Sequence, residues 1–168
     1  MFKIILIAVM TAMINKSHFC SCTPVTVRES VERSDLIFTG VVLKIDTANV
    51  VPDEFIKFKW ATTDSGFYVQ NCLVTLKLKT VYKGKALNDT LSIMTGMGGG
   101  DCGYYFRTGK DYIIYARKRM YHFVDSIDAV TSRFRSHPGE YFTTNDCDRT
   151  TDQIDKEERL LGFERIKQ

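Results

Sequence analysis

Five cysteines, Cys20, Cys22, Cys72, Cys102 and Cys147, are the side chains of this 168-residue sequence with the widest chemical range. In a reducing compartment they would suggest metal, nucleophilic or redox chemistry; in an oxidising one, structural bridges. The first 19 residues decide between the two. Lys3 is followed by an apolar stretch from Ile4 to Ile14 that only Thr11 interrupts, and then by Asn15, Lys16, Ser17 and His18. A basic flank, an apolar segment of about 7–15 residues and a polar end make a secretory signal peptide. The expectation is therefore a signal over 1–19, a single extracellular domain over 20–168, and cysteines that form disulfides.

Other chemistry has little support. Gly96 to Gly103 (GMGGGDCG) resembles a phosphate cradle in composition, but a P-loop needs Gly-Lys-Ser/Thr opening a helix, and here Cys102 and aromatic residues follow. The loop reads instead as backbone that must approach something closely or take positive φ. His18, His122 and His137 stand apart from one another, with no HExxH and no Ser-His-Asp pattern, so hydrolytic or metal-dependent catalysis is not expected and no cofactor is implied. Asp125, Asp128, Asp146, Asp148 and Asp152 read as solvated loop and cap residues. The chain carries 23 Lys and Arg against 20 Asp and Glu; without Lys3 and Lys16 the balance is 21 against 20. That near-neutral domain removes the electrostatic argument for a nucleic-acid partner, although 11 Phe, 8 Tyr and 1 Trp could in principle stack on bases. No apolar run reaches the 18 residues of a membrane span.

The elements that must position these residues are mostly strands. Thr26 with Glu29 three residues later is a capping-box spacing that opens a short helix, with Val27 and Val31 on one face and an end near Ser34-Asp35. Leu36 to Asp46 reads as a strand with a bend at Gly40. Thr47 to Gly66, with Pro52 and Asp64-Ser65-Gly66 as turn signals, reads as a long hairpin excursion. Phe67 to Tyr82 alternates most clearly, placing Cys72, Val74 and Leu76 on one face. Lys83-Gly84-Lys85 turns the chain into a strand over Thr90 to Thr95; Asp111 to Arg117 and Tyr121 to Val124 follow as strands, and Ser126 to Phe134 reads as a helical turn. Tyr141 to Asn145 is extended, and Asp152 to Leu161 is a helix with Gly162 at its C′ position. Several uneven strands with a helix near each end suggest a mainly β fold, a five-stranded OB-type Greek-key barrel with short flanking helices.

On this frame Cys72 reads as a buried free thiol acting as a small apolar residue. Four cysteines then remain for two bridges, and the C-x-C spacing sends Cys20 and Cys22 to different partners, Cys102 or Cys147 in either order. Asn88-Asp89-Thr90 is a glycosylation sequon in the turn after Lys85.

Cys20-Ser21-Cys22-Thr23-Pro24, Ser34-Asp35-Leu36, Val81-Tyr82-Lys83-Gly84, Cys102-Gly103-Tyr104, Thr143-Thr144-Asn145-Asp146-Cys147 and Arg159 to Phe163 occur in an order that resembles the inhibitory domain of the tissue inhibitors of metalloproteinases, within the netrin-like (NTR) family. The resemblance implies the pairing Cys20–Cys102 and Cys22–Cys147, with Arg33 standing where the first cysteine of a third family bridge would be. It also implies a mechanism in which the α-amino group and carbonyl of Cys20 chelate the catalytic zinc of a metzincin-type protease. Ser21 would enter the specificity pocket, Cys22 and Thr23 would run along the cleft, and Gly100-Asp101, joined through Cys102, would form a neighbouring ridge. Cleavage before Cys20 frees that amino group, whereas a start at His18 blocks chelation. The expectation is a secreted, monomeric, non-enzymatic metalloproteinase inhibitor. The alternative is a non-inhibitory extracellular NTR module that recognises a protein, glycan or matrix partner, and an oligonucleotide-binding barrel ranks third.

Overall fold

A computed structural model describes residues 21–57, 68–98, 100–127 and 134–166. Its elements are α1 (Val27–Arg33), β1 (Leu36–Pro52), α2 (Asp53–Lys57), β2 (Val69–Lys83), β3 (Thr90–Gly96), β4 (Asp111–Ile127), β5 (Phe134–Thr143) and α3 (Ile154–Ile166). The five strands form one sheet that closes on itself in the order β1-β2-β3-β5-β4. β1 pairs with β2 antiparallel from Ile37↔Lys83 to Val50↔Val69, with register slips around Thr39/Gly40 and Val42/Lys44 that bend the strand. On its other side β1 pairs with β4 over Leu36–Val41 and again over Val50–Pro52. β2 pairs antiparallel with β3, and β4 antiparallel with β5. Parallel pairing of Ile93 and Met94 with Phe142 and Thr143 closes the ring.

Alternation on the strands puts Leu36, Phe38, Val42, Val74, Leu76, Ile93, Ile114 and Ala116 into one buried cluster with Phe106 and Tyr112. Full burial of each large member returns about 1.5–3 kcal/mol. Tyr104 and Phe106, tilted against each other, both meet Tyr112 edge to face at this core, with ring centroids 4.8–5.8 Å apart. The opposite face of β1 and β4 is covered too. Ile37, Ile113 and Tyr115 pack with Leu161 of α3, and Val27 and Val31 of α1 lie against them. Two covered faces explain why β4 is buried at every position from Tyr112 to Ala116 instead of alternating.

α1 forms as its capping box requires: Glu29 N–H donates to Thr26 Oγ1 (3.2 Å) and Thr26 N–H donates to Glu29 Oε2 (2.9 Å). The bond from Thr26 N–H first, and one from the Thr26 hydroxyl to Glu29 Oε2 (2.9 Å) second, hold the exposed Glu29 carboxyl below its usual range.

Several expectations are corrected. β1 runs on through Asp46 to Pro52, because residues 47–50 continue the ladder with β2, and Pro52 then stands directly before α2. The remainder of the 47–66 excursion, beyond residue 57, lies outside the described residues. Tyr121–Val124 is no separate strand but the middle of β4. The helical turn over Ser126–Phe134 is not formed at its ends, where Ser126↔Arg135 and Ile127↔Phe134 are ladder pairs of β4 and β5; its middle, 128–133, lies outside the described residues. β5 likewise begins well before Tyr141. Gly162 does not end α3, which runs through to Ile166. A glycine costs a helix interior only about 1 kcal/mol, and Gly162 lacks the positive φ of a C′ residue.

Candidate functional site

The extended segment before α1 is fastened to the segment before α3. Cys22 and Cys147 form a disulfide with a Cα–Cα distance of 5.1 Å across 125 residues of sequence. Cys147 is presented by an Asx turn, in which Asn145 Oδ1 accepts from the N–H groups of Cys147 (2.9 Å) and Asp148 (3.0 Å). Asp148 closes the turn by accepting from Asn145 N–H and takes an ion pair from Arg117 of β4 at 2.9 Å. Ser21, Cys22 and Thr23 are exposed, and with Arg33, Arg117 and Cys147 they border a cavity of about 330 Å³.

The glycine-rich loop meets the same region. Asp146 N–H donates to the Cys102 carbonyl at 2.8 Å. Cys102 is disulfide-bonded, and Cys20, its expected partner, lies outside the described residues. Inside the loop the Asp101 carboxylate accepts from Met97 N–H (2.7 Å), Gly98 N–H (2.8 Å) and Gly103 N–H (3.1 Å). Asp101, expected as a contact residue, therefore spends its carboxylate on organising its own loop, while Gly100 beside it is exposed. The reason for glycine at 103 is steric: a Cβ there would stand 2.2 Å from the Gly96 carbonyl oxygen and 2.6 Å from Gly98 N. Cys102 takes φ 58°, the left-handed conformation that lets the chain reverse at this point.

Cys72 is free and half-buried, not fully buried as its strand face suggested. Its Sγ lies 3.5 Å from Met97 Sδ, on the wall of an apolar cavity of about 200 Å³ that Ile45, Met97 and Tyr105 help to line. Burial first, and the Asp101 charge second, push this thiol pKa up, away from nucleophilic use. Asn88 is exposed in the β2–β3 turn, beside Leu87, which is 96% exposed.

Sequence reasoning missed the polar cluster behind the disulfide. Glu157 of α3 is buried and accepts a forked pair from Arg149 (2.7 Å each) and a hydrogen bond from Tyr115 Oη (2.8 Å). Burial, followed by the bond to Glu157, raises the Tyr115 pKa strongly. Thr150 Oγ1 accepts from Tyr115 N–H, and Ile113 and Thr151 exchange backbone hydrogen bonds, stitching residues 150–151 to β4. The only sequence signal was an Arg–Glu pair 8 residues apart across a helix start, too common to single out.

Among the described residues no group of three or more His, Cys, Asp or Glu is placed to hold a metal ion, and no helix is long and apolar enough to cross a membrane. Compared with models of known protein families and with curated proteins, the chain matches none.

Proposed function

We propose that this chain is a secreted inhibitor of metzincin-type zinc metalloproteinases, similar to the tissue inhibitors of metalloproteinases, built on an NTR-type OB Greek-key barrel. One observation carries the reading. The segment Ser21–Thr23, the glycine-rich loop at Cys102 and the turn at Asp146–Cys147 are gathered at one place by the Cys22–Cys147 bridge and the Asp146-to-Cys102 hydrogen bond. The closed order of five strands supports the barrel assignment.

In this mechanism cleavage before Cys20 leaves an α-amino group that, with the Cys20 carbonyl, takes the open position of the protease zinc and displaces its water. The amine binds the metal only when neutral. An α-amino group titrates at about 7.7–8.0, so inhibition strengthens as pH rises through that window, as long as the protease itself stays active. Ser21 enters the specificity pocket, Cys22 and Thr23 follow the cleft, and Gly100 offers backbone at the ridge that Asp101 braces. Holding the segment in place beforehand lowers the ordering cost of binding.

The test compares secreted protein beginning at Cys20 with protein beginning at His18, each titrated against a zinc metzincin. Inhibition by the first and none by the second is expected; equal inhibition by the extended form overturns the chelation mechanism. A second reading, a non-inhibitory extracellular binding module, draws on the apolar cavity rimmed by Ile45, Met97 and the 77% exposed Tyr105. It predicts a secreted start at His18 and no protease inhibition by either form.

A further inference from the structure

Arg149 does more than neutralise Glu157. Its Nε and Nη2 hold the two carboxylate oxygens of Glu157, and its remaining branch, Nη1, donates to the carbonyl oxygen of Val25 at 3.2 Å. Val25 lies three residues after Cys22 and immediately before Thr26, the N-cap of α1. The Arg149 side chain is one-quarter exposed and the Glu157 side chain 5% exposed, so this is a semi-buried fork and not a surface ion pair. Glu157 is fixed in turn by Tyr115 Oη from β4. One planar group thereby connects the N-terminal segment, the C-terminal helix and the central strand.

We propose that Arg149 is a positioning residue for the N-terminal segment, so that the placement of residues 21–25 depends on how α3 seats its Glu157. Cys22 is tied at one end of this stretch by the disulfide and Thr26 at the other by the capping box. Between them the Val25 carbonyl, pulled by Arg149, sets the direction in which Thr23 and Pro24 run. A guanidinium can serve both partners because its fork binds the carboxylate bidentately and leaves a further N–H free. A lysine at this position keeps the charge for Glu157 but cannot span both acceptors. The consequence for inhibition rests on the proposed function; the positioning role itself does not.

The test is ¹⁵N relaxation on the secreted protein, comparing Arg149→Lys and Arg149→Met with the parent. In the parent the Thr23 and Val25 amides should behave as rigid backbone, with order parameters near about 0.85, and in both variants they should fall below about 0.6. Arg149→Lys should hold its Tm within roughly 5 °C of the parent because the Glu157 pair persists. Loss of order at 23–25 with Tm retained is the signature that a merely structural role would not give. Rigid Thr23 and Val25 amides in Arg149→Lys overturn the proposal, and this variant decides the matter even where Arg149→Met fails to fold. The same samples are titrated against a zinc metzincin, with inhibition expected to weaken about tenfold in Arg149→Lys. A parent that inhibits nothing refutes the proposed function and leaves the relaxation result to judge Arg149.

Discussion

Replacing Cys22 and Cys147 together by serine tests how much of the fold depends on fastening the N-terminal segment. The bridge spans 125 residues, and closing a loop of that length restricts the unfolded chain by about 5 kcal/mol in the chain-entropy model. The disulfide at Cys102 persists in the variant and already restricts the unfolded chain, so the loss is about 4–5 kcal/mol. For a domain of this size each kcal/mol moves Tm by about 2–4 °C, so a fall of roughly 8–20 °C is expected. Urea titration gives the same quantity independently, as a midpoint shift of about 2 M at a slope near 2 kcal/mol per M. The native contacts that remain, the Thr26 cap and the Arg149 bond to Val25, act in the folded state and do not replace a restriction on the unfolded one. A loss below about 1 kcal/mol, with the slope unchanged, would refute the reasoning: the unfolded chain would then already be confined without this bridge.

Three further outcomes follow from other parts of the structure. Gly103→Ala drives a methyl group into the Gly96 carbonyl and should cost more than about 2 kcal/mol, whereas Gly109→Ala, with open space around it and φ +77°, should cost only the left-handed strain of about 1–2 kcal/mol; equal Tm losses in the two variants would contradict the close-approach account. Ile93→Ala at a fully buried position should lose about 2–5 kcal/mol in denaturant titration, while Leu87→Ala in the β2–β3 turn should stay within about 0.5 kcal/mol. Cys72, its thiol pKa raised by burial and by Asp101, should alkylate with iodoacetamide more slowly than glutathione at pH 7.5 and accelerate as pH rises toward 10; intact mass reads the rate, and a match to glutathione at pH 7.5 would contradict the assignment.

What could be read in advance was what short-range chemistry dictates. Thr26 and Glu29 announced α1 because both halves of a capping box lie within four residues. Alternation around Cys72, Val74 and Leu76 announced β2 because one face of that strand meets the core. The misses share a different cause, namely partners distant in sequence. Residues 47–50 have turn-like composition, yet β2 supplies a ladder that keeps them extended. Ile127 and Phe134 have helical spacing, yet they are ladder partners of β4 and β5. Asp101, exposed as a ridge residue must be, also turns its oxygens to three backbone N–H groups that only the folded loop brings together, and that second task has no local signature. The spacing of Arg149 and Glu157 was too common to stand out, since the Val25 carbonyl that gives their pair a second purpose lies 124 residues away.

The Cys22–Cys147 bridge also decides how the molecule bears load. Every strand among the described residues, from Leu36 to Thr143, lies between the two bridged cysteines. Tension applied upstream of Cys22 and downstream of Cys147 passes directly from one sulfur to the other and bypasses the sheet. Among the described residues the element in series with the pull is α3, held by the Glu157 fork and the Ile113–Thr151 backbone pair. Pulled from its ends, the protein should release its C-terminal helix as a short, low-force extension and then stop lengthening, its closed sheet intact until the bridge is reduced.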